Sequence, residues 1–293
     1  QLQFSRDVAT QIGYDFTRGA LDLTVHPFCT SPASPVDVRI TTRVYEDNFT
    51  SNLYGVIHEA GHAMYEQGFD PEWMHTPLCD AISLGIHESQ SRFWENDIGR
   101  TESFWNHFLP QMKTYFPRVL EGVSANDMAL AVNPVNPSLI RVDADEVTYG
   151  LHIALRFELE QALISGDLSV SDLPGAWNEK MQEYLGVTPE SDKNGVLQDI
   201  HWSMGAFGYF PTYLLGSLYS AQFFEAISES IDIDKDVSAG EFGGIFDWLQ
   251  ERVHRPGRQY VPLDLLERAV GKGLDPAIFI DHLDRKVKAI HGV

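Results

Sequence analysis

Two hydrophobic patterns divide the chain, and the first, near its beginning, is typical of strands. Segments 21–25 and 36–44 alternate apolar and polar residues, as half-buried strands do. The segment 31–35, Ser-Pro-Ala-Ser-Pro, separates them and predicts a turn or loop. We therefore expect these two strands to pair as an antiparallel hairpin with a long connection.

The second pattern is helical and covers most of the remaining chain. Phe4, Val8 and Ile12 recur at a spacing of four residues, which predicts a first helix over 4–13. Similar spacing and helix-ending glycines and prolines predict helices at 51–67, 78–97, 101–115, 143–165, 170–185, 211–227, 240–253, 262–270 and 276–290. No repeat or flexible linker interrupts them. We expect a mainly α fold with a small antiparallel sheet, organised as a single domain over 1–293.

Composition narrows the possible partners. The chain has 293 residues, 43% of them hydrophobic, and a net charge of −21 from 21 basic and 42 acidic residues. Such acidity argues against binding to nucleic acid or to an anionic membrane. Cys29 and Cys79 are too few for a disulfide scaffold, so free thiols are expected. No apolar run is long enough to span a membrane, and residues 1–20 lack a signal-peptide core, which predicts a cytoplasmic protein.

The predicted helix 51–67 carries the sequence His58-Glu59-Ala60-Gly61-His62. Residues four apart project from one face of a helix, so His58 and His62 can hold a single zinc ion. Glu59 can then act as general base toward a metal-bound water. The structural alternative is two surface histidines on an ordinary helix.

A zinc enzyme of this type needs a third protein ligand and one open position. Glu88, 30 positions after His58 on the next predicted helix, is the candidate. His87 and Asp80 are rival ligands. Because neighbouring residues on a helix point about 100° apart, only one of His87 and Glu88 can face the metal well.

Four further clusters accompany these two motifs. In chain order, the six motifs are His26-Pro27-Phe28, Asp37-Val38-Arg39-Ile40-Thr41, His58–His62, His87-Glu88-Ser89-Gln90, Ile140–Glu146 and Gly195–Trp202. Together they resemble the M32 family of zinc metallocarboxypeptidases, the carboxypeptidase Taq type. The resemblance extends from about His26 to Tyr213 and more loosely to the end of the chain. It implies a helical zincin-like fold with the small sheet beside the active-site helix.

The resemblance also implies a set of roles at the metal. His58, His62 and Glu88 would be the zinc ligands, and Glu59 would activate the zinc-bound water. Cobalt or manganese could replace zinc in the cell. The implied reaction is hydrolysis of the C-terminal peptide bond of peptides, with broad specificity.

A carboxypeptidase must recognise a free terminal carboxylate, and the two parallel N–H donors of arginine suit it. Within the motifs we assign Arg141 to the carboxylate and Arg39 to the substrate or to support of the site. The structural alternatives are ion pairs, of Arg39 with Asp37 or Glu46 and of Arg141 with Asp143 or Asp145.

The segment after the last motif is rich in aromatic residues and resembles the family's substrate wall. His201 could hydrogen-bond the peptide carbonyl and Tyr209 could stabilise the oxyanion. An aromatic core patch is the alternative, and for Tyr213 it is preferred. Asp143 and Asp145 are candidates for orienting the metal-binding histidines.

The chain departs from the family in one respect, its short beginning. Family members usually carry a longer helical region before the His-Pro-Phe motif, whereas 25 residues precede His26 here. The chain is therefore expected to be either a compact member with a more open cleft or a fragment. A homodimer is expected from the resemblance. Alternative functions are a dipeptidase or oligopeptidase of the same zinc class, and a non-catalytic zinc- or peptide-binding remnant.

Overall fold

A computed structural model describes all residues, Gln1–Val293. The strands are β1 (Leu21–Leu23), β2 (Cys29–Ala33) and β3 (Asp37–Thr42). The helices are α1 (Leu2–Ile12), α2 (Phe49–Gln67), α3 (Leu84–Arg92), α4 (Glu102–Tyr115), α5 (Ala125–Val132), α6 (Glu146–Ser165), α7 (Leu173–Leu185), α8 (Pro211–Ser228), α9 (Ile233–Ala239), α10 (Gly243–Leu249), α11 (Pro262–Val270) and α12 (Pro276–His291). This confirms the mainly α class with a small sheet.

The chain forms two compact units. The first comprises residues 1–132 and 216–293, and the second comprises residues 133–215. The sheet and the helix with the His-Glu-x-x-His motif lie in the first unit, whereas α6 and α7 lie in the second. The single-domain organisation stays a prediction.

The sheet is mixed, and the predicted antiparallel pairing of its first and last strands is wrong. β3 lies in the centre, with β1 parallel on one side and β2 antiparallel on the other. Part of the predicted loop belongs to β2, and a tight turn with a hydrogen bond from Val36 N to Ala33 O (2.8 Å) joins β2 to β3. Pro32 is tolerated because β2 is an edge strand, and the register shifts between Thr30 and Ala33.

Helix boundaries differ from the prediction where a side chain caps the helix. α3 begins at Leu84 and not at 78, because the Ser83 hydroxyl accepts the N–H of Ile86 (3.1 Å). α6 begins at Glu146, since the Asp145 carboxylate accepts the first free N–H groups. The sequence gives no signal for α5 and α9, which are 8 and 7 residues long and too short for a clear period.

Buried polar residues fix the beginning of α2 against its neighbours. Val38 and Ile40 of β3 are fully buried. Beside them the Ser5 hydroxyl donates to Asn52 Oδ1 (2.6 Å), and Asn52 Nδ2 donates to Thr42 Oγ1 (3.1 Å). These bonds connect α1, α2 and β3, so the sheet holds the helix that carries both motif histidines.

The second unit has its own apolar core between α6 and α7. Its buried members are Leu155, Leu159, Leu173, Trp177, Met181, Leu185 and Val196. Except for Val196, which follows α7, these residues recur at helical spacing on the two helices, so each helix buries one face against the other.

Two further predictions concern the thiols and the membrane. Cys29 and Cys79 are both free, as expected. None of the helices combines the length and the apolar character needed to cross a bilayer.

Candidate functional site

The structure brings His58, His62 and Glu88 together in the first unit. Their ligand atoms all lie within 4.8 Å of one another. Glu88 Oε2 is 3.7 Å from His58 Nε2 and 3.4 Å from His62 Nε2. A tetrahedral ion with bonds of about 2.0–2.1 Å holds its ligand atoms roughly 3.3 Å apart. The three side chains are therefore spaced as a metal would need them.

The other ring nitrogen of each histidine is fixed by an acceptor. His58 Nδ1 lies 2.8 Å from Glu95 Oε2, and His62 Nδ1 lies 2.9 Å from the carbonyl oxygen of His87. Because both partners only accept, Nδ1 must carry the proton in each ring. The Nε2 lone pairs are therefore left for a cation, which is how ligating histidines are usually oriented.

Arginines keep the two buried carboxylates ionised. Arg92 Nε donates to Glu88 Oε1 (2.8 Å), and Arg100 Nη2 donates to Glu95 Oε1 (3.0 Å). Burial alone would raise the pKa of Glu88, but the positive charges of Arg92 and His58 hold it well below its usual range. The pKa of Glu95 is lowered against burial by its hydrogen bond to His58 and by Arg92.

The pKa values of His58, His62 and Glu59 differ from those of the free side chains. Burial lowers the pKa of His58, but the charges of Glu88 and Glu95 outweigh it and raise this pKa to about 9. Burial, with the nearby His87, lowers the pKa of His62 to about 4. Glu59 is 7% exposed, and burial raises its pKa to about 7. A divalent cation would take the place of the proton on His58.

The two rival ligands do not join this group. The His87 ring has its Nε2 2.9 Å from Glu66 Oε1, and its Nδ1 lies 2.5 Å from Nδ1 of His62, away from the Nε2 side. Asp80 forms an ion pair with Arg258 (2.6 Å). The geometry therefore favours Glu88 over both.

Glycines let three helices meet at the site. A Cβ atom on Gly61 of α2 would lie 2.5 Å from the carbonyl oxygen of Gln90 in α3. A Cβ atom on Gly216 of α8 would lie 2.5 Å from Cγ of Glu88. No side chain larger than hydrogen fits at either position without moving a neighbour, so Gly216 determines where Glu88 can sit.

We expect Gly216→Ala to weaken metal binding by about 10–100-fold, the cost of disturbing the groups that orient a ligand. The added methyl group displaces the Glu88 side chain and leaves the histidines in place. Titration of the metal-free protein with zinc in a competing chelator measures this change.

Gly175→Ala is the matched control, because Gly175 lies in α7 and its Cβ would meet nothing within 4 Å. Its zinc affinity should stay within about twofold. Equal affinities of the two variants would show that Glu88 does not depend on the contact with Gly216.

In the second unit, Arg141 pairs with an aspartate that the sequence did not suggest. Its Nε and Nη2 donate to Asp199 Oδ1 (3.0 and 2.8 Å), and its Nη1 contacts the Tyr149 hydroxyl (3.3 Å). Arg141 is buried, with 7% exposure. The ion pair with Asp143 or Asp145, given above as the structural alternative, is replaced by the pair with Asp199, and Asp145 caps α6. Glu95 and the His87 carbonyl, described above, orient the histidines in place of these aspartates.

His201 and two tyrosines form a half-buried cluster in the same unit. His201 Nε2 lies 3.2 Å from the Tyr213 hydroxyl, and its ring centre is 5.2 Å from that of Tyr209. Burial, with Arg141 nearby, lowers the pKa of His201, so the ring is neutral at pH 7. Tyr213 packs partly on apolar residues, but its hydroxyl is in this polar cluster.

Arg39 lies on β3 in the first unit and is exposed. Its Nε and Nη2 donate to the two carboxylate oxygens of Asp37 (2.8 and 2.7 Å). This is the ion pair on the strand surface that is given above as the alternative to a role of Arg39 at the substrate. The guanidinium side chain remains 55% exposed in this pair.

Glu95 is the functional candidate that the sequence analysis missed. It lies seven positions after Glu88, two turns further along the same helical stretch, so it shares that face. The helix continues there as a wider π turn, Phe93–Ile98, a feature often found at functional sites. The spacing of Glu88, Arg92 and Glu95, four and three residues apart, places all three on one helix face, and this is the sequence signal for Glu95.

Comparison with known proteins places this arrangement in a family. Residues 1–287 match the family model described as carboxypeptidase Taq (M32) metallopeptidase. The chain is 49% identical over 293 residues to thermostable carboxypeptidase 1 of Thermus thermophilus, covering 100% of this chain and 57% of that protein. It is 45% identical over 292 residues to carboxypeptidase 1 of Bacillus subtilis, covering 99% and 58%.

A solved structure agrees with these sequence relatives. The M32 carboxypeptidase from Deinococcus radiodurans R1 superposes with a TM-score of 0.97 at 44% identity, over 100% of this chain and 59% of that one. The chain thus spans somewhat more than half the length of the relatives it matches. By sequence and by structure, it belongs to the carboxypeptidase Taq (M32) family of metallopeptidases.

Proposed function

We propose that the chain carries the catalytic centre of a zinc-dependent metallocarboxypeptidase with broad specificity. The observation that carries the proposal is the group of His58, His62 and Glu88, with both Nε2 atoms facing one carboxylate oxygen. The names of the relatives, which are carboxypeptidases, support the same activity.

Two imidazoles and a carboxylate are a donor set that suits zinc, and three protein ligands leave a position open for catalysis. Cobalt or manganese could occupy the same ligands. When bound, the ion supplies Lewis acidity, which makes water a nucleophile near neutral pH and polarises the scissile carbonyl.

Glu59 performs the proton transfers in this proposal. Glu59 follows His58 in the sequence of α2 and is nearly buried. It accepts a proton as water attacks the peptide carbonyl, and it later passes that proton to the leaving amine. Burial favours this exchange because it stabilises the protonated, neutral form of the carboxyl group, which raises the pKa of Glu59.

Arg141 is the proposed anchor for the terminal carboxylate of the peptide. Arginine has five N–H donors, and the contacts with Asp199 and Tyr149 use three of them. Two donors are therefore left for the two carboxylate oxygens. Arg39 has the weaker case, because Asp37 already occupies its bidentate edge, and we assign it to contacts with more distant parts of the substrate.

His201 and Tyr209 are the proposed hydrogen-bond donors to the carbonyl oxygen on which negative charge develops. The neutral His201 ring and the Tyr209 hydroxyl can each donate one proton. His201 Nε2 lies 3.2 Å from the Tyr213 hydroxyl, so the peptide oxygen would take the place of that hydroxyl as the partner of the Nε2 proton.

Two peptides that differ only at the C-terminus test the function. The zinc-loaded protein should release the last residue from the free acid, and cleavage of the C-terminal amide should be at least about 100-fold slower, because a charge-assisted pair with Arg141 is lost. Mass spectrometry of the products measures both rates.

The same experiment separates the alternatives. Equal cleavage of acid and amide would favour an oligopeptidase, and hydrolysis confined to the dipeptides of a mixed peptide pool would favour a dipeptidase. No hydrolysis of either peptide, nor of a mixed peptide pool, would favour a non-catalytic binding role. The homodimer and the cytoplasmic location stay predictions.

A further inference from the structure

Arg156 is a fully buried charged residue outside all six motifs. It lies in the middle of α6 and has no exposed surface. A charge in such a place is costly unless it is paired and hydrogen-bonded. Its partners therefore indicate what it does.

Its hydrogen bonds and its contact with an aromatic ring all lie within the second unit. Nε donates to Asp199 Oδ2 (2.7 Å), Nη2 to Gln198 Oε1 (2.9 Å), and Nη1 to the backbone oxygen of His152 (2.7 Å). The guanidinium also lies over the Trp177 ring, 4.6 Å from its centre. Because Arg156 has no exposed surface, whereas Arg141 retains some, Arg156 is not placed to bind a substrate directly.

Two of these contacts lead on to Arg141. Asp199 bridges the arginines, with Oδ1 accepting from Arg141 and Oδ2 from Arg156. Gln198 Oε1 accepts from Arg156 Nη2 and also from the backbone N–H of Arg141 (2.8 Å). Arg156 therefore holds both groups that fix the guanidinium and the main chain of Arg141.

The charges of this cluster do not cancel. Two guanidinium groups share one carboxylate, which leaves one positive charge in a chain with a net charge of −21. Burial lowers the pKa of Arg156 to about 10 despite the attraction of Asp199, so it stays protonated at neutral pH. Without Arg156, Asp199 would neutralise Arg141 and reduce its attraction for an anion.

We propose that Arg156 is a positioning residue that acts through Asp199 and Gln198 to orient Arg141 and keep its positive charge available to the terminal carboxylate of a peptide. This inference rests on the proposed function, since it assumes that Arg141 is the carboxylate anchor. It adds a residue that contacts no substrate but determines recognition of the carboxylate.

The test compares Arg156→Gln and Arg156→Lys with the unmodified protein. Calorimetry measures binding of N-acetyl-leucine and of N-acetyl-leucinamide to each metal-free protein, and the ratio of the two affinities reports carboxylate recognition. Arg156→Gln should reduce this ratio about 10–100-fold. Arg156→Lys, which keeps the charge but loses the planar fork, should reduce it by roughly three- to tenfold. In the zinc-loaded enzyme, KM for a free-acid peptide should rise by similar factors while kcat changes less than about threefold.

Glu160→Gln is the matched control, four residues along the same helix. The Glu160 carboxylate accepts from Trp202 Nε1 (2.7 Å) and from the N–H of Gly208 (3.1 Å), so it supports the same segment without touching Asp199. Glu160→Gln should loosen this segment but leave the ratio of the acid and amide affinities unchanged, because it leaves Asp199 and Arg141 in place. Circular dichroism and thermal melting verify that each variant is folded, and Arg156→Lys carries the test if Arg156→Gln does not fold.

The possible outcomes distinguish a failure of the Arg141 anchor from a failure of the positioning role of Arg156. If the unmodified protein binds the acid and the amide equally, the proposed anchoring by Arg141 fails. If it prefers the acid and the folded Arg156 variants keep that preference in full, the positioning role of Arg156 is wrong. A loss shared equally by Glu160→Gln would also overturn it.

Discussion

Glu59→Gln is expected to abolish peptide hydrolysis while the protein retains its metal. Glutamine has nearly the same shape as glutamate but cannot accept the proton from attacking water. Loss of a general base typically costs about 10²–10⁴-fold in rate, so kcat should fall by about 10³-fold. His58, His62 and Glu88 keep their contacts, because their hydrogen bonds go to Glu95, the His87 carbonyl oxygen and Arg92 and not to Glu59.

Release of the last residue from a free-acid peptide measures kcat, and atomic absorption measures zinc per chain. Glu72→Gln is the matched control, since Glu72 is an exposed glutamate in a turn outside the site. It should leave both quantities unchanged. A Glu59→Gln protein with zinc and with more than a tenth of the original rate would rule out Glu59 as the base. Loss of zinc in this variant would point instead to a structural role.

The metal-binding helix could be predicted from the sequence because its information is local. Four-residue spacing fixes the relative direction of His58 and His62 on α2 whatever surrounds them. Glu88 required the resemblance to a family, since nothing local connects it to His58. The sequence could identify the residue, but the shared Oε2 contact with both Nε2 atoms is visible only in the folded chain.

The sheet shows where local patterns stop being informative. Alternation identified β1 and β3, but it does not encode which strand lies beside which or in which direction. The tight turn after Ala33 joins β2 to β3, and Pro32 obscured β2 because prolines are rare in strands other than edges. The order of the strands therefore depends on this turn, which the Ser-Pro-Ala-Ser-Pro sequence does not distinguish from an ordinary loop.

The ion-pair partners of Arg141 and Arg156 also could not be predicted from nearby residues in the sequence. Asp199 lies 58 positions after Arg141, whereas Asp143 and Asp145 are close in sequence and were the natural candidates. Arg156 resembles a surface residue of an amphipathic helix, and only burial and its contacts with Asp199 and Gln198 show otherwise. Charged residues buried through long-range pairs leave no periodic signal.

A comparison of Glu88→Gln with His87→Asn should identify the third metal ligand. Glu88→Gln replaces a charged oxygen by a neutral one and leaves the Arg92 charge without its carboxylate partner in Glu88. Zinc affinity should fall by more than about 100-fold, because even changes to groups that only orient a ligand cost 10–100-fold. That corresponds to at least about 2.7 kcal/mol of binding free energy.

His87→Asn should change zinc affinity less than about tenfold. The acceptor that orients His62 is the backbone carbonyl of His87, which the substitution retains. The side-chain contacts that are lost are those with Glu66 and with Nδ1 of His62. Chelator competition measures both affinities, and zinc-dependent protection against thermal unfolding provides a second readout, since a ligand that binds only the folded state stabilises it. The reverse order, with zinc lost in His87→Asn and kept in Glu88→Gln, would assign the third ligand to His87. Comparable losses in both variants would mean that the site depends on the whole turn of α3 and not on one carboxylate.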